Sequence, residues 1–384
     1  MPFDFDSIPS RRGTNSLKWS VDTGELPMWV ADMDFVTAPA ILDAVSARLA
    51  SGVFGYGVIP EEFSQAIQLW WRSRYDLQID QTWIAFCIGV VPAISSLVRT
   101  FSDPGDSVVI QSPVYDSFYS AVERSSRRVV VNNLGYDSSS YRIDWEDLDE
   151  KLADPRSTIL LICNPQNPTG QVWTPDELAR MAELATTHGA IVISDEIHCD
   201  ITEPGVRYTP YARVAGGGFT LVSATKSFNI PGLQGAALIA DDPEMRVRAV
   251  NGLERDGITH PNAFSIESTI AAYTLGEPWL EEMRTYVWAN RTRLETYVAD
   301  RLSQLHVVPS QSTYLAWVDC SGLTSDGTAF AHHLRKTTGL VVNPGAHYGA
   351  NAVPFIRINF ACPTSLLEDG LARLSKAVST FPSI

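Results

Sequence analysis

Lys226 stands one step past an apolar run, in SATKSFNIPG (223–232), with hydroxyl residues before it and a Pro-Gly break after it. A lysine normally keeps its ammonium in water at the end of a flexible stem. Burial and suitable neighbours depress its pKa instead, and the free amine then condenses with an aldehyde. Asp195, 31 residues earlier, closes the apolar run AIVISD, and Asn167 lies in NPQNPTG, directly after TILLIC. A carboxylate such as Asp195 would keep a ring nitrogen protonated, so that a heteroaromatic ring takes up electrons. The backbone N–H groups of Gly89, Val90 and Val91 and the hydroxyls of Ser223 and Thr225 are donors suited to a phosphate. Amine, carboxylate and phosphate donors together are what pyridoxal 5′-phosphate requires. Singly, each residue has an ordinary reading: a solvated lysine, a cap, a helix start without a ligand. Their convergence on one rim argues against all of those at once.

The elements around them set that rim. TILLIC (158–163) reads as a strand, and NPQNPTG, with two prolines and a glycine, as the turn after it. TPDELARMAELATTHG reads as a helix: Thr174 caps it, Pro175 takes the first position, Glu177 closes a capping box and Gly189 ends it. AIVISDEIHCD is the next strand, ending in acids, and FTLVSAT (219–225) is a third, with Lys226 following. Strands alternating with helices predict an α/β fold on a mainly parallel sheet, and ligands bind such sheets at the carboxyl ends of the strands. Asn167, Asp195 and Lys226 each fall there. IAFCIGVVPAISSLVRTF (84–101) runs from a short strand through Gly89 into a helix with Pro92 near its first position, an N-terminus open to a phosphate. VVIQSPVYDSFYSAV (108–122) leaves a strand and presents Tyr115 at once. From about residue 277, large apolar residues spaced at threes and fours predict a long amphipathic helix. TYLAWVDCSG and PFIRINFACP then read as strands of a smaller α+β domain. The expected division is an N-terminal segment (1–45) packing with the small domain and a partner subunit, a large domain (46–280) and a small C-terminal domain (281–384).

Composition excludes several classes. A net charge of −15 and a pI near 4.9 leave no basic stripe for a nucleic acid. No apolar run approaches the length of a membrane span, and MPFDFDSIPSRRG has no basic segment followed by an apolar one, so neither a membrane nor a secretory role is expected. The five cysteines are odd in number and form no C-x-x-C pair, and the histidines form no H-E-x-x-H. Reduced thiols, no metal and a cytoplasmic location are the expectation.

NPQNPTG, SDEIHCD and SATKSFNIPG, in that order, resemble the asparagine, aspartate and lysine signatures of fold type I pyridoxal-phosphate enzymes of the aminotransferase class I/II superfamily, over nearly the whole chain. LPMWVADMDF (26–35), PVYDSFY and DEIH resemble the narrower MalY/PatB group of cystathionine β-lyases. The resemblance implies that Lys226 carries the cofactor as a Schiff base, that Asp195 pairs with its ring nitrogen, that Asn167 donates to its ring oxygen and that Tyr115 stacks on the ring. It implies that Ser223 and the Gly89–Val91 amides hold the phosphate, with Thr225 and His198 also beside the cofactor. Arg357, in FIRINF, matches the arginine that grips the substrate α-carboxylate. Tyr56, in VFGYGVIP, resembles a tyrosine reaching the neighbouring subunit's site, which implies a homodimer with shared sites. The implied activity is a carbon–sulfur β-lyase acting on a small amino-acid thioether: cystathionine, or a related cysteine S-conjugate, gives a thiol (homocysteine), pyruvate and ammonia. An aminotransferase on the same fold is the alternative. A regulator on this fold would append a basic DNA-binding module, for which the segment before LPMWVADMDF leaves no room. Two positions depart from many aminotransferases of the superfamily: Gln234 replaces an arginine eight residues after the lysine, and His198 replaces a tyrosine three after the aspartate.

Overall fold

A computed structural model describes residues 3–382. Its larger sheet has seven strands, in the order Ile84–Cys87, Ala236–Ile239, Gly218–Val222, Ile191–Asp195, Ser157–Cys163, Ser107–Ser112 and Arg128–Asn133. Six point the same way, and Ala236–Ile239 runs against both of its neighbours. Successive side chains go to opposite faces, and both faces are covered. Val108, Ile110, Ile159, Leu161 and Ile193 pack under helices Val90–Phe101 and Pro243–Arg255. Val109, Leu160, Ile162 and Val192 pack under Trp145–Leu152 and Pro175–Thr187. Burial on both faces explains why these strands read as continuous apolar runs and not as alternating ones.

Helix Pro175–Thr187 starts as its sequence dictates. The Thr174 hydroxyl accepts from the Glu177 amide, the Glu177 carboxylate accepts from the Thr174 amide, and Gly189 takes the left-handed φ of 71° beyond the end. Lys226 departs from the expectation in one respect. The strand stops at Val222, and Ser223 caps a single turn of helix, Ala224–Ser227, which carries the lysine. The Ser223 hydroxyl accepts from the Thr225 amide at 3.1 Å, and this bond favours a turn over a further strand residue.

A second, antiparallel sheet runs His306–Val307, Leu315–Asp319, Phe355–Asn359, Asn343–Pro344. Helices Gly327–Thr338 and Thr364–Thr380 lie in the same part of the chain. The N-terminal strand Leu26–Pro27 pairs in parallel with Leu340–Val341 and so joins the first residues to the last domain. On these sheets we propose the division at residues 45 and 280. The long helix, Glu277–Arg301, crosses the second boundary. Its spacing predicts an amphipathic helix, yet it buries Arg284, Asn290 and Arg291 along with its apolar side chains. Those polar groups serve carbonyls on flanking segments: Arg284 donates to Thr202 O, Asn290 to Cys362 O and Arg291 to Val308 O. No helix among the described residues is long and apolar enough to cross a membrane.

Candidate active site

Five strand ends meet at one rim of the large sheet, and a cavity of about 600 Å³ opens there against the small domain. Gly89 to Val91, Tyr115, Asn167, Asp195, His198, Ser223, Thr225, Lys226 and Arg357 all border it. Tyr56 does not. It is fully exposed on the extended stretch before helix Glu61–Tyr75, away from this chain's own cavity.

Lys226 reaches inward, and its Nζ donates to the Ala31 carbonyl at 2.7 Å. Burial, and then repulsion from Arg357, lower its pKa to about 8, against the opposing pull of Asp32 and Asp195. An appreciable share of the amine is therefore uncharged near neutral pH. Asp195 closes its strand almost fully buried, accepting one bond from the Ile197 amide at 3.1 Å. Burial pushes its carboxyl up to about 7, although that bond and Lys226 work the other way. A cationic ring nitrogen beside it would restore the charged form. Tyr115 stands at the start of helix Asp116–Glu123, and burial raises its phenol above the ordinary value.

Arg357 lies in the strand Phe355–Asn359 and is buried. Nη1 donates to Asn167 Oδ1 at 3.1 Å and Nη2 to Trp29 O at 3.0 Å, both neutral acceptors, while Nε has no partner among the described residues. The guanidinium sits over the Tyr348 ring at 4.8 Å. A buried cation with only neutral partners and a spare N–H is set to take a carboxylate in its planar fork. Arg357→Lys keeps the charge and loses that fork. We expect KM for substrate to rise about tenfold or more while the cofactor's absorbance stays in place. Steady-state kinetics beside a spectrum of the resting enzyme check this.

His198 is buried and its Nδ1 has no partner among the described residues. Burial, with repulsion from Lys226 and Arg357, holds its pKa near about 3, so the ring is neutral at any working pH. The phosphate donors divide into two kinds. The Ser223 hydroxyl donates to Gly235 O at 2.6 Å and sits 2.8 Å from Thr225 Oγ1, so both hydroxyls are engaged within the protein. The helix Val90–Phe101 has no side-chain cap, which leaves its first amides facing the cavity. Gln234 lines the wall, and no lysine or arginine besides Lys226 and Arg357 does so among the described residues. A phosphate bound here would find its counterweight mainly in that helix N-terminus. These residues fit pyridoxal phosphate: an amine able to condense, a buried carboxylate short of partners, and open amides at a helix start.

Several residues at the site have no counterpart in the sequence reading. The carbonyls of Trp29 and Ala31, the Tyr314 hydroxyl (3.0 Å from Ala31 O) and Asn343 Nδ2 (3.0 Å from Trp29 O) complete the walls around Lys226 and Arg357. Backbone carbonyls carry no side-chain signature. The only signal was MWVADMDF itself, as a resemblance.

Comparison with known proteins gives the chain a family. Residues 28–374 match the model of the family described as aminotransferase class I and II. The chain is 37% identical to cystathionine beta-lyase PatB of Bacillus subtilis, over 98% of this chain and 100% of that one. It is 39% identical to protein MalY of Escherichia coli, over 98% and 99%. A crystal structure of the PLP-bound C-S lyase from Staphylococcus hominis superposes with a TM-score of 0.93 at 30% identity, covering 99% of this chain and 100% of that one.

Proposed function

We propose, from the premise that this chain belongs to the aminotransferase class I and II family, that it is a pyridoxal-phosphate-dependent carbon–sulfur β-lyase. Its substrate is cystathionine or a related cysteine S-conjugate, and its products are a thiol, pyruvate and ammonia. The observation that carries the reading is one buried cavity holding an amine of lowered pKa, Lys226, and a guanidinium without an anionic partner, Arg357. Similarity to PatB over the full chain favours elimination over amino-group transfer.

Pyridoxal phosphate, when bound, supplies an aldehyde for the substrate amine and a ring that takes up the electron pair left at Cα. Asp195 keeps the ring nitrogen protonated. Arg357 receives the substrate carboxylate in its planar fork, and Asn167, accepting from Nη1, holds that guanidinium in plane. Lys226 takes the α-proton. With the proton on Lys226, the Cα electron pair is free to form a second bond between Cα and Cβ as the Cβ–S bond breaks. The same lysine is then placed to protonate the departing sulfur. The enamine left when sulfur departs takes up one water on release, which gives pyruvate and ammonia. The test is catalytic release of thiol and pyruvate from cystathionine with no keto acid added.

The active form is proposed to be a dimer in which Tyr56 completes the neighbouring site. Support comes from its full exposure and from Val53, Phe54 and Val58 exposed beside it, an apolar stretch that a monomer would leave in water. Inactive Tyr56→Ala and inactive Lys226→Ala chains should then complement each other on mixing, since a mixed dimer holds one site with both native residues. No regained activity after verified subunit exchange would count against sharing. All five cysteines are free and buried, in keeping with a cytoplasmic location.

A further inference from the structure

Residues 29–34 form neither helix nor strand, yet five consecutive carbonyls among them, Trp29 to Met33, are each held by a side chain. Trp29 O accepts from Arg357 Nη2 and Asn343 Nδ2, both at 3.0 Å. Val30 O accepts from Asn359 Nδ2 at 2.6 Å. Ala31 O accepts from Lys226 Nζ at 2.7 Å and from Tyr314 OH at 3.0 Å. Asp32 O accepts from Asn359 Nδ2 at 2.6 Å and Lys18 Nζ at 3.0 Å. Two of these donors, Lys226 and Arg357, are the amine and the carboxylate anchor of the proposed reaction.

The strap is itself pinned from two sides, by groups outside the cavity. On one side Lys18, 1% exposed, donates to Asp34 Oδ2 at 2.7 Å, and Arg11 bridges Asp32 at 2.5 Å and Asp34 at 2.6 Å. Trp19 Nε1 donates to Asp34 Oδ1 at 2.7 Å. Two cations thus face two carboxylates, so the buried charges balance. On the other side is Asn229, three residues beyond Lys226, with a left-handed φ of 56°. Its Oδ1 accepts from Met33 N at 2.9 Å, and its Nδ2 donates to Met33 O at 3.0 Å and Phe35 O at 2.8 Å. Neither Asn229 nor Lys18 borders the cavity.

We propose that Asn229 and the Lys18–Asp34 pair are positioning residues for Lys226: they fix the strap so that the Ala31 carbonyl holds the lysine amine, once substrate has displaced it from the cofactor, within reach of the substrate α-proton. The inference rests on the lyase reading for its chemistry, but the geometry stands without it. An amine that donates one N–H to a carbonyl keeps its lone pair for the proton. Unheld, the same four-carbon stem spreads over many rotamers, and a displacement near 1 Å costs about a hundredfold in rate.

Two variants loosen the strap from opposite sides. Asn229→Gly removes the side-chain bonds without backbone strain, because glycine accepts a positive φ. Lys18→Met keeps the stem and removes the ammonium. In the cofactor-free protein, acetylation of Lys226, followed by peptide mass spectrometry, should run about tenfold faster in both, the factor for losing a hydrogen bond of about 1.4 kcal/mol. Other lysine peptides should label as in the wild type. In the holoenzyme kcat should fall about tenfold to a hundredfold with KM changed by less than about threefold, and the isotope effect with Cα-deuterated thioether should rise. A role only in folding would lower the active fraction and leave the isotope effect as it was. If one variant does not fold, the other decides. Unchanged Lys226 labelling, or a fall in kcat with an unchanged isotope effect, overturns the proposal. The labelling needs no turnover, so it judges the strap even if the lyase reading fails.

Discussion

Lys226→Ala is expected to lose at least about a thousandfold in kcat, within the range that a positioned proton-transfer group contributes. The loss should be in turnover and not in binding of the cofactor. Asp195 and the open amides of the helix Val90–Phe101 still face the cavity, so the variant should retain pyridoxal phosphate noncovalently. Arg357 is untouched, and substrate should still enter. No other amine lines the cavity among the described residues, so nothing replaces the lost base. Thiol release measured beside cofactor retention after gel filtration separates the two effects. Borohydride treatment of the wild type should fix the cofactor onto the Lys226 peptide. Its appearance on another lysine, or near-normal turnover in the alanine variant, would remove the foundation of the mechanism.

Asp195→Asn should also be severe, at about a hundredfold to a thousandfold in kcat, although the side-chain volume hardly changes. A neutral amide does not hold a protonated ring nitrogen. The same substitution should have the opposite effect on the cofactor-free fold. Burial raises the Asp195 carboxyl to about 7, above its ordinary value. The folded chain therefore holds this proton more tightly than the unfolded chain does. That advantage is complete at low pH and is lost as pH rises through about 7, leaving a buried charge that opposes folding above it. Asparagine carries no such charge. Above neutral pH the cofactor-free variant should melt at a higher temperature than cofactor-free wild type, and the gap should close as the medium becomes acidic. Scanning calorimetry across that range, with parallel assays of the loaded enzymes, reads both halves. Near-normal activity would make Asp195 a structural residue, and a gap independent of pH would remove the buried charge from the account.

What could be read from sequence follows from where information resides. Asn167, Asp195 and Lys226 were legible because each sits where an apolar run meets turn or cap residues. Both signals are local, and the sheet then places all three at one rim. The capping box at Thr174 and Glu177 was legible for the same reason. The one-turn helix at Lys226 was missed because Ser, Ala and Thr are all tolerated at the end of a strand, whereas the Ser223 hydroxyl stops it through a single bond. The lone reversed strand, Ala236–Ile239, has no mark that distinguishes it from a parallel one. The buried Arg284, Asn290 and Arg291 fell outside the amphipathic reading because each also bonds a backbone carbonyl outside its own helix, and a carbonyl has no side-chain signature. The strap over Lys226 was marked only by the resemblance of LPMWVADMDF, and its role was not legible, since its contribution to the site is made by backbone oxygens.

The central claim is that this site eliminates and does not transfer. Both courses use Lys226 to remove the α-proton, and they part at the next bond. Elimination consumes no second substrate, whereas transfer stops until a keto acid takes the amino group. Holoenzyme given cystathionine alone should therefore release homocysteine, pyruvate and ammonia in equal amounts over many turnovers, and adding a keto acid should not raise the rate. Turnover that halts after one equivalent per site, resumes on adding a keto acid and returns the matching amino acid would contradict the account.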